Sequence, residues 1–207
     1  MAKTEDYGWT EDVPNSTGYL GPAVLDIVRA HKPGQILDAG CGNGSVTEYI
    51  ARHGFSIVGV DGDEEGIKLA SKNFPAVRFA TADFALAPVT SDAPDGLFDM
   101  VISTEVVEHL YTPQDLVRFA MDALRPGGRF VVTTPYHGYL KNLALSVTDH
   151  WDAHHTPLWH GGHIKFWSRK TLGTLLEQGG FLIEGFSGVG RMPYLWKSMV
   201  MVARKPV

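Results

Sequence analysis

The sequence predicts an α/β fold built on a doubly wound sheet of seven strands, mostly parallel and finished by a C-terminal antiparallel hairpin strand. Two observations carry that prediction. Short apolar runs alternate with stretches of helical periodicity between residues 35 and 134, the order that builds a parallel sheet. The first of those runs ends in an acid and spaced glycines, Asp38-Ala39-Gly40-Cys41-Gly42-Asn43-Gly44, where an open α/β sheet places its ligand-binding turn.

In chain order, residues 22–31 read as an amphipathic helix with Pro22 at its start, where a missing N–H is harmless. Residues 35–39 form a buried strand, 45–53 a helix, 56–60 a strand and 64–73 a helix. A strand at 77–81, a polar loop to Gly96, a strand at 98–103, a helix at 113–124 and a strand at 129–134 continue the alternation. Arg125-Pro126-Gly127-Gly128 is expected to stop the helix, since proline cannot continue it and glycine accepts a positive φ. After an aromatic and histidine-rich stretch, a helix at 169–178 leads to strands 181–186 and 197–204, expected to pair as a hairpin. The order is that of a Rossmann-like sheet in one domain spanning 1–207, with 135–167 as a substrate-facing lid.

Composition narrows the function. At 207 residues, with 44% hydrophobic and 20% charged residues, the chain suits one globular domain rather than disorder. A net charge of -5 without a Lys/Arg run argues against nucleic acid as partner. A single cysteine, Cys41, forbids an intrachain disulfide, and no apolar run reaches membrane-spanning length, so a cytoplasmic protein acting on a small molecule is expected.

The glycine turn separates two nucleotide chemistries. Gly40, Gly42 and Gly44 are followed at once by Ser45, so the third glycine of a dinucleotide fingerprint is out of place, which disfavours a nicotinamide dehydrogenase. Asp38 would repel a pyrophosphate but suits S-adenosylmethionine (SAM), which carries an ammonium and a sulfonium. Asp61 closes the second strand about twenty residues on, where an acid accepts from ribose hydroxyls. The plainer alternatives are a turn or cap role for Asp38 and a strand-end turn for Asp61.

On these residues the chain resembles the class I SAM-dependent methyltransferases over essentially its whole length. The resemblance implies SAM as cofactor, with Asp38, Gly40, Gly42 and Gly44 as the first motif, Asp61 as the ribose acid and Ala82-Asp83-Phe84 as the adenine step. Asp83 would accept from the adenine amino group while Phe84 and Gly62 border the ring; its alternative is a strand-end cap. Cys41 would serve through small size rather than as a nucleophile, no base being evident beside it. Thr104 ends the fourth strand on the same rim.

Thr104-Glu105-Val106-Val107-Glu108-His109 follows that strand. Were it the start of a helical turn, Glu105, Glu108 and His109 would share a face. Carboxylates with imidazole suit Mg, Mn or Zn. This step and Gly162-His163-Ile164-Lys165 resemble the ubiquinone-biosynthesis O-methyltransferases and the small-RNA 3'-end 2'-O-methyltransferases. The resemblance implies Glu105, Glu108, His109 and His163 as a metal set, with Glu108, His109 and His163 catalytic. Two routes stay open at this point: a divalent ion that acidifies a phenol or catechol hydroxyl, or a metal-free histidine base. A terminal RNA 2'-O-methyltransferase and a SAM-binding module without catalysis are the rival functions.

Six of the nine histidines, His137, His150, His154, His155, His160 and His163, lie in the lid among Tyr136, Tyr139, Trp151, Trp159, Phe166 and Trp167. Within it Leu140, Leu143, Ala144 and Val147 recur at helical spacing, as expected of a helix packed against the body. Tyr7, Trp9 and Tyr19 are candidates to fold over the cofactor or to pack.

Overall fold

A computed structural model describes residues 12–86, 97–155, 157–158 and 162–207. Seven strands form one sheet in the order β3-β2-β1-β4-β5-β7-β6. The elements are α1 (Thr17–His31), β1 (Ile36–Ala39), α2 (Ser45–Ala51), β2 (Ile57–Asp61), α3 (Glu64–Asn73), β3 (Arg78–Thr81), β4 (Phe98–Thr104), α4 (Pro113–Ala123), β5 (Leu124–Pro135), α5 (Tyr139–Val147), α6 (Trp151–His155), α7 (Arg169–Gln178), β6 (Leu182–Val189) and β7 (Ser198–Arg204). The strands from β1 to β5 pair in parallel; β7 runs antiparallel between β5 and β6, as the hairpin reading required. Among the described residues no helix is long and apolar enough to cross a membrane.

Strand alternation divides the core. Leu37 and Ala39 of β1 join Val101, Phe130 and Phe181 on the face covered by α4 and α7, while Ile36 joins Ile50, Met100 and Val131 on the face covered by α1 and α2. Asp38 therefore points to the α2 side. Phe98, Phe119, Phe130 and Phe181 are fully enclosed, each contributing on the order of 2 kcal/mol through burial. Helix starts follow from local chemistry. Asp63 caps α3 by accepting from the Glu65 N–H at 3.0 Å, and Ser168 and Thr171 cap α7 reciprocally.

Three expectations need correction. The first helix begins at Thr17, so Pro22 lies inside it rather than at its start. The helix before β5 is not ended by a glycine cap: Leu124 leaves α4 already extended, and Arg125 to Gly128 belong to β5. Gly127 does take the positive φ (77°), but within β5, which lies between β4 and β7, its N–H donating to the Lys205 carbonyl. Third, α5 does not bury its apolar stripe; Leu140, Leu143 and Val147 are exposed, and Lys141 is its buried residue. The polar loop expected up to Gly96 falls largely outside the described residues, as do Tyr7, Trp9, Trp159 and His160.

Candidate active site

The carboxyl ends of β1, β2, β3, β4 and β5 share one edge of the sheet, and every candidate residue except His163 lies on or just after one of them. Gly40, Gly42 and Gly44 all have positive φ (85°, 52° and 80°). At Gly40 a Cβ would meet Val106 at 2.4 Å, and at Gly44 one would meet Phe79 at 2.7 Å, so shape as well as conformation demands glycine there. The turn is tied down by the Gly40 and Cys41 N–H groups, which donate to the Val60 carbonyl. Val106 thus presses the second motif onto the first, a contact the linear sequence does not display.

Asp38 is wholly buried, and Thr47 Oγ1 donates to its Oδ2 at 2.7 Å. Its Oδ1 is buried with no partner among the described residues. Burial raises the Asp38 carboxyl to about 7, against the Thr47 bond that lowers it. An acid in that state is completed by a cation. Asp61 accepts from the Gly42 N–H at 2.8 Å through Oδ2 and from the Asp63 N–H at 2.9 Å through Oδ1, so it fixes the glycine turn from the neighbouring strand. Gly62 lies half-buried between these two acids. Asp83 accepts from the Ala85 N–H at 2.9 Å, the cap alternative, while Phe84 packs edge-on against Phe119 at 5.1 Å. Cys41 is buried and its thiol is pushed well up by desolvation and by Asp38, which leaves it inert.

The Glu-x-x-Glu-His step does not begin as a helical turn. Glu105 sits in the left-handed region (φ 55°), so it turns off the face that Glu108 and His109 occupy. Its carboxylate accepts from Thr133 Oγ1 at 2.9 Å and from Ser198 Oγ at 3.0 Å; Ser198 is also bonded to Tyr19 OH at 3.2 Å. Tyr19 therefore reaches the floor of the site from α1. Burial lifts Glu105 to about 7. Thr104 lies beside Thr133 at the end of the strand.

Glu108 is buried, with both carboxyl oxygens unpartnered among the described residues, and burial followed by the Glu105 charge pushes its carboxyl well up. The Glu108 carbonyl accepts from the Ile164 and Lys165 N–H groups, each at 3.0 Å, and the Val107 carbonyl accepts from Trp167 Nε1. Those bonds carry His163 across more than fifty residues of chain onto His109, with ring centroids 4.9 Å apart. One ligand atom each from Glu108, His109 and His163 lies within 4.8 Å of the others. Three of the four residues expected to hold a metal meet, and Glu105 stands behind them. Burial and the neighbouring His109 lower His163 to about 4, so its imidazole is neutral at pH 7.

A second cluster went unread in the sequence. His137, His154 and His155 also offer ligand atoms within 4.8 Å of one another. The histidine density between residues 137 and 163 was the signal, but density alone does not say which rings converge.

A parallel sheet closed by one antiparallel strand, with a carboxylate and spaced glycines at its edge, defines the class of the SAM-dependent methyltransferases. Residues 17–184 match the family model described as a methyltransferase domain, and the chain belongs to that family. It is 30% identical over 189 residues to the human mitochondrial ubiquinone biosynthesis O-methyltransferase, which covers 85% of this chain and 50% of the relative. It is 27% identical over 180 residues to the ubiquinone biosynthesis O-methyltransferase of Aeromonas salmonicida, covering 84% and 75%. The chain spans about half the length of the mammalian relatives it matches. Among solved structures, magnesium protoporphyrin IX methyltransferase from Synechocystis with bound SAH superposes with a TM-score of 0.67 at 20% identity, covering 90% of this chain and 82% of that one. A methyltransferase from Methanosarcina mazei gives 0.66 at 18%, covering 87% and 97%, which shows the shared fold.

Proposed function

We propose that this protein transfers the methyl group of SAM to a hydroxyl oxygen of a small phenol- or catechol-type acceptor. The observation that carries the reading is the meeting of Glu108, His109 and His163 on the sheet edge that also bears the glycine turn. The likeness to ubiquinone biosynthesis O-methyltransferases supports the acceptor class.

The residues present fit SAM. The unpartnered Oδ1 of Asp38 suits its ammonium, with Gly40, Cys41, Gly42 and Gly44 as the cradle of its amino-acid end. Asp61 and Gly62 would take the ribose, Asp83 and Phe84 the adenine, and Thr104 the floor beneath. SAM supplies an electrophilic methyl group on a positively charged sulfur.

The second group fits a divalent ion, because the two buried Glu108 oxygens, without partners among the described residues, are completed by positive charge. Glu108, His109 and His163 would hold it, with Glu105 bonded behind; it would act as a Lewis acid that makes the acceptor hydroxyl more acidic. With the ion held, Glu108 and the two rings would orient that hydroxyl as ligands; in the alternative route without an ion, an imidazole of His109 or His163 takes its proton directly. In the segment read as a lid, the outward apolar residues Leu140, Leu143, Trp151 and Phe166 suit an apolar acceptor.

The test is SAM turnover with a catechol panel and with short RNA, measured as SAH release, before and after chelation and with metal added back. The expected result is catechol-dependent SAH that falls on chelation and with Glu108→Gln. Steeply salt-dependent binding and methylation of RNA, without catechol turnover, would overturn the acceptor class.

A further inference from the structure

Besides the Glu108 cluster, the lid side of the site holds one more convergence of ligating groups. His137 follows β5, its backbone N–H donating to the Trp167 carbonyl at 3.2 Å. His154 and His155 close α6, a single turn. The ring of His155 lies nearly parallel to that of His137, with centroids 5.4 Å apart and 22° between planes, and His154 stands edge-on to His155 at 4.8 Å. The Nε2 atoms of His137 and His155 are both buried without a hydrogen-bond partner among the described residues. Buried polar atoms are seldom left so, and two orphaned nitrogens in one three-ring cluster point to something that completes them together.

We propose that His137, His154 and His155 form a three-imidazole site for a borderline divalent transition metal, zinc foremost, distinct from the Glu108–His109–His163 cluster. The donor set selects the ion: imidazoles without a carboxylate suit zinc, cobalt, nickel or copper and are poor ligands for magnesium or calcium. Three protein ligands leave a fourth position open to water or to an oxygen of a molecule under the lid.

Tetrahedral zinc with bonds of about 2.0–2.1 Å sets its nitrogens about 3.3 Å apart, so the rings, now within 4.8 Å, close by roughly 1.5 Å at most. The exposed, one-turn α6 provides that movement more readily than the buried His137. Lys141 is a cation that bears on all three rings; burial lowers its ammonium to about 8, so an incoming metal would be answered by release of its proton.

Cobalt(II) is the probe, because its visible absorption reports a tetrahedral nitrogen site. The metal-stripped full chain is titrated and bound metal counted by elemental mass spectrometry. His154→Ala/His155→Ala is expected to bind one equivalent fewer than the unsubstituted chain and to lose the tetrahedral bands, with circular dichroism unchanged. His155→Ala alone should weaken uptake at this site by at least about tenfold, and it carries the test should the double variant fail to fold. His109→Ala/His163→Ala should keep the equivalent and the bands. Equal uptake with and without His154 and His155, or complete loss of uptake in the His109→Ala/His163→Ala chain, would overturn the proposal. Loss of only a second equivalent in the latter chain supports it and places that second ion at Glu108.

Discussion

Substituting Asp38 by Asn separates what this acid costs the empty protein from what it gives the liganded one. The change keeps size and keeps an oxygen for Thr47 Oγ1, but removes the buried charge. The ordinary value of 3.8 is raised to about 7, and at about 1.36 kcal/mol per unit that shift is worth on the order of 4 kcal/mol as an upper bound. An acid raised in the folded state contributes stability that is complete below about pH 4 and is lost as pH climbs toward 7. The unsubstituted chain without ligand should therefore melt lower at pH 8 than at pH 5.5, and Asp38→Asn should flatten that difference. If Asp38 holds the SAM ammonium as proposed, the same variant should also lose a charge-assisted bond worth about 1.5–3 kcal/mol, or roughly ten- to 150-fold in Kd. Thermal melts at the two pH values and calorimetry with SAH check both halves. Unchanged SAH affinity in Asp38→Asn would refute the assignment of its free oxygen to the ligand.

Other outcomes follow from the same geometry. Glu108→Gln should raise the melting temperature of the metal-free protein, since it removes a buried acid, while abolishing most SAH release; loss of both would place Glu108 in the scaffold alone. Gly40→Ala should destabilise by about 1–2 kcal/mol from its left-handed backbone and more from the Val106 clash, and Val106→Ala should restore part of that loss in denaturant titrations. Ser198→Ala removes a donor to Glu105, so the protein should lose about 1 kcal/mol and Glu105 should titrate still higher, as read by carboxyl-labelled NMR.

The sheet and the glycine turn were legible because periodicity and backbone demands are local: the apolar runs at β1, β2 and β4 and the positive φ at Gly40 to Gly44 follow from neighbours in the chain. Asp38 and Asp61 stood out in the sequence as acids beside the glycine turn, yet the bond from the Gly42 N–H to Asp61 did not, since it depends on how two strands lie side by side. Glu105 was misread as sharing a face with Glu108. Spacing assumes a helix, whereas the bonds of Glu105 to Thr133 and Ser198 hold it in a left-handed bend. The apolar stripe of α5 showed which side chains align but not whether anything covers them. The meeting of His137 with His154 and His155 was equally out of reach, because it depends on how the chain doubles back after Val147.

The direction of β7 has a consequence for assembly. Because this last strand runs against its neighbours, it starts where they finish, and so Ser198 arrives at the crest holding the hydroxyl that joins Glu105 to Tyr19. A ribosome delivers that hydroxyl after every other described partner in the bonded chain has emerged. The hydroxyl network is thereby closed by β7, and a molecule cut short before residue 198 would keep most of its parallel sheet while lacking the link between the first helix and Glu105.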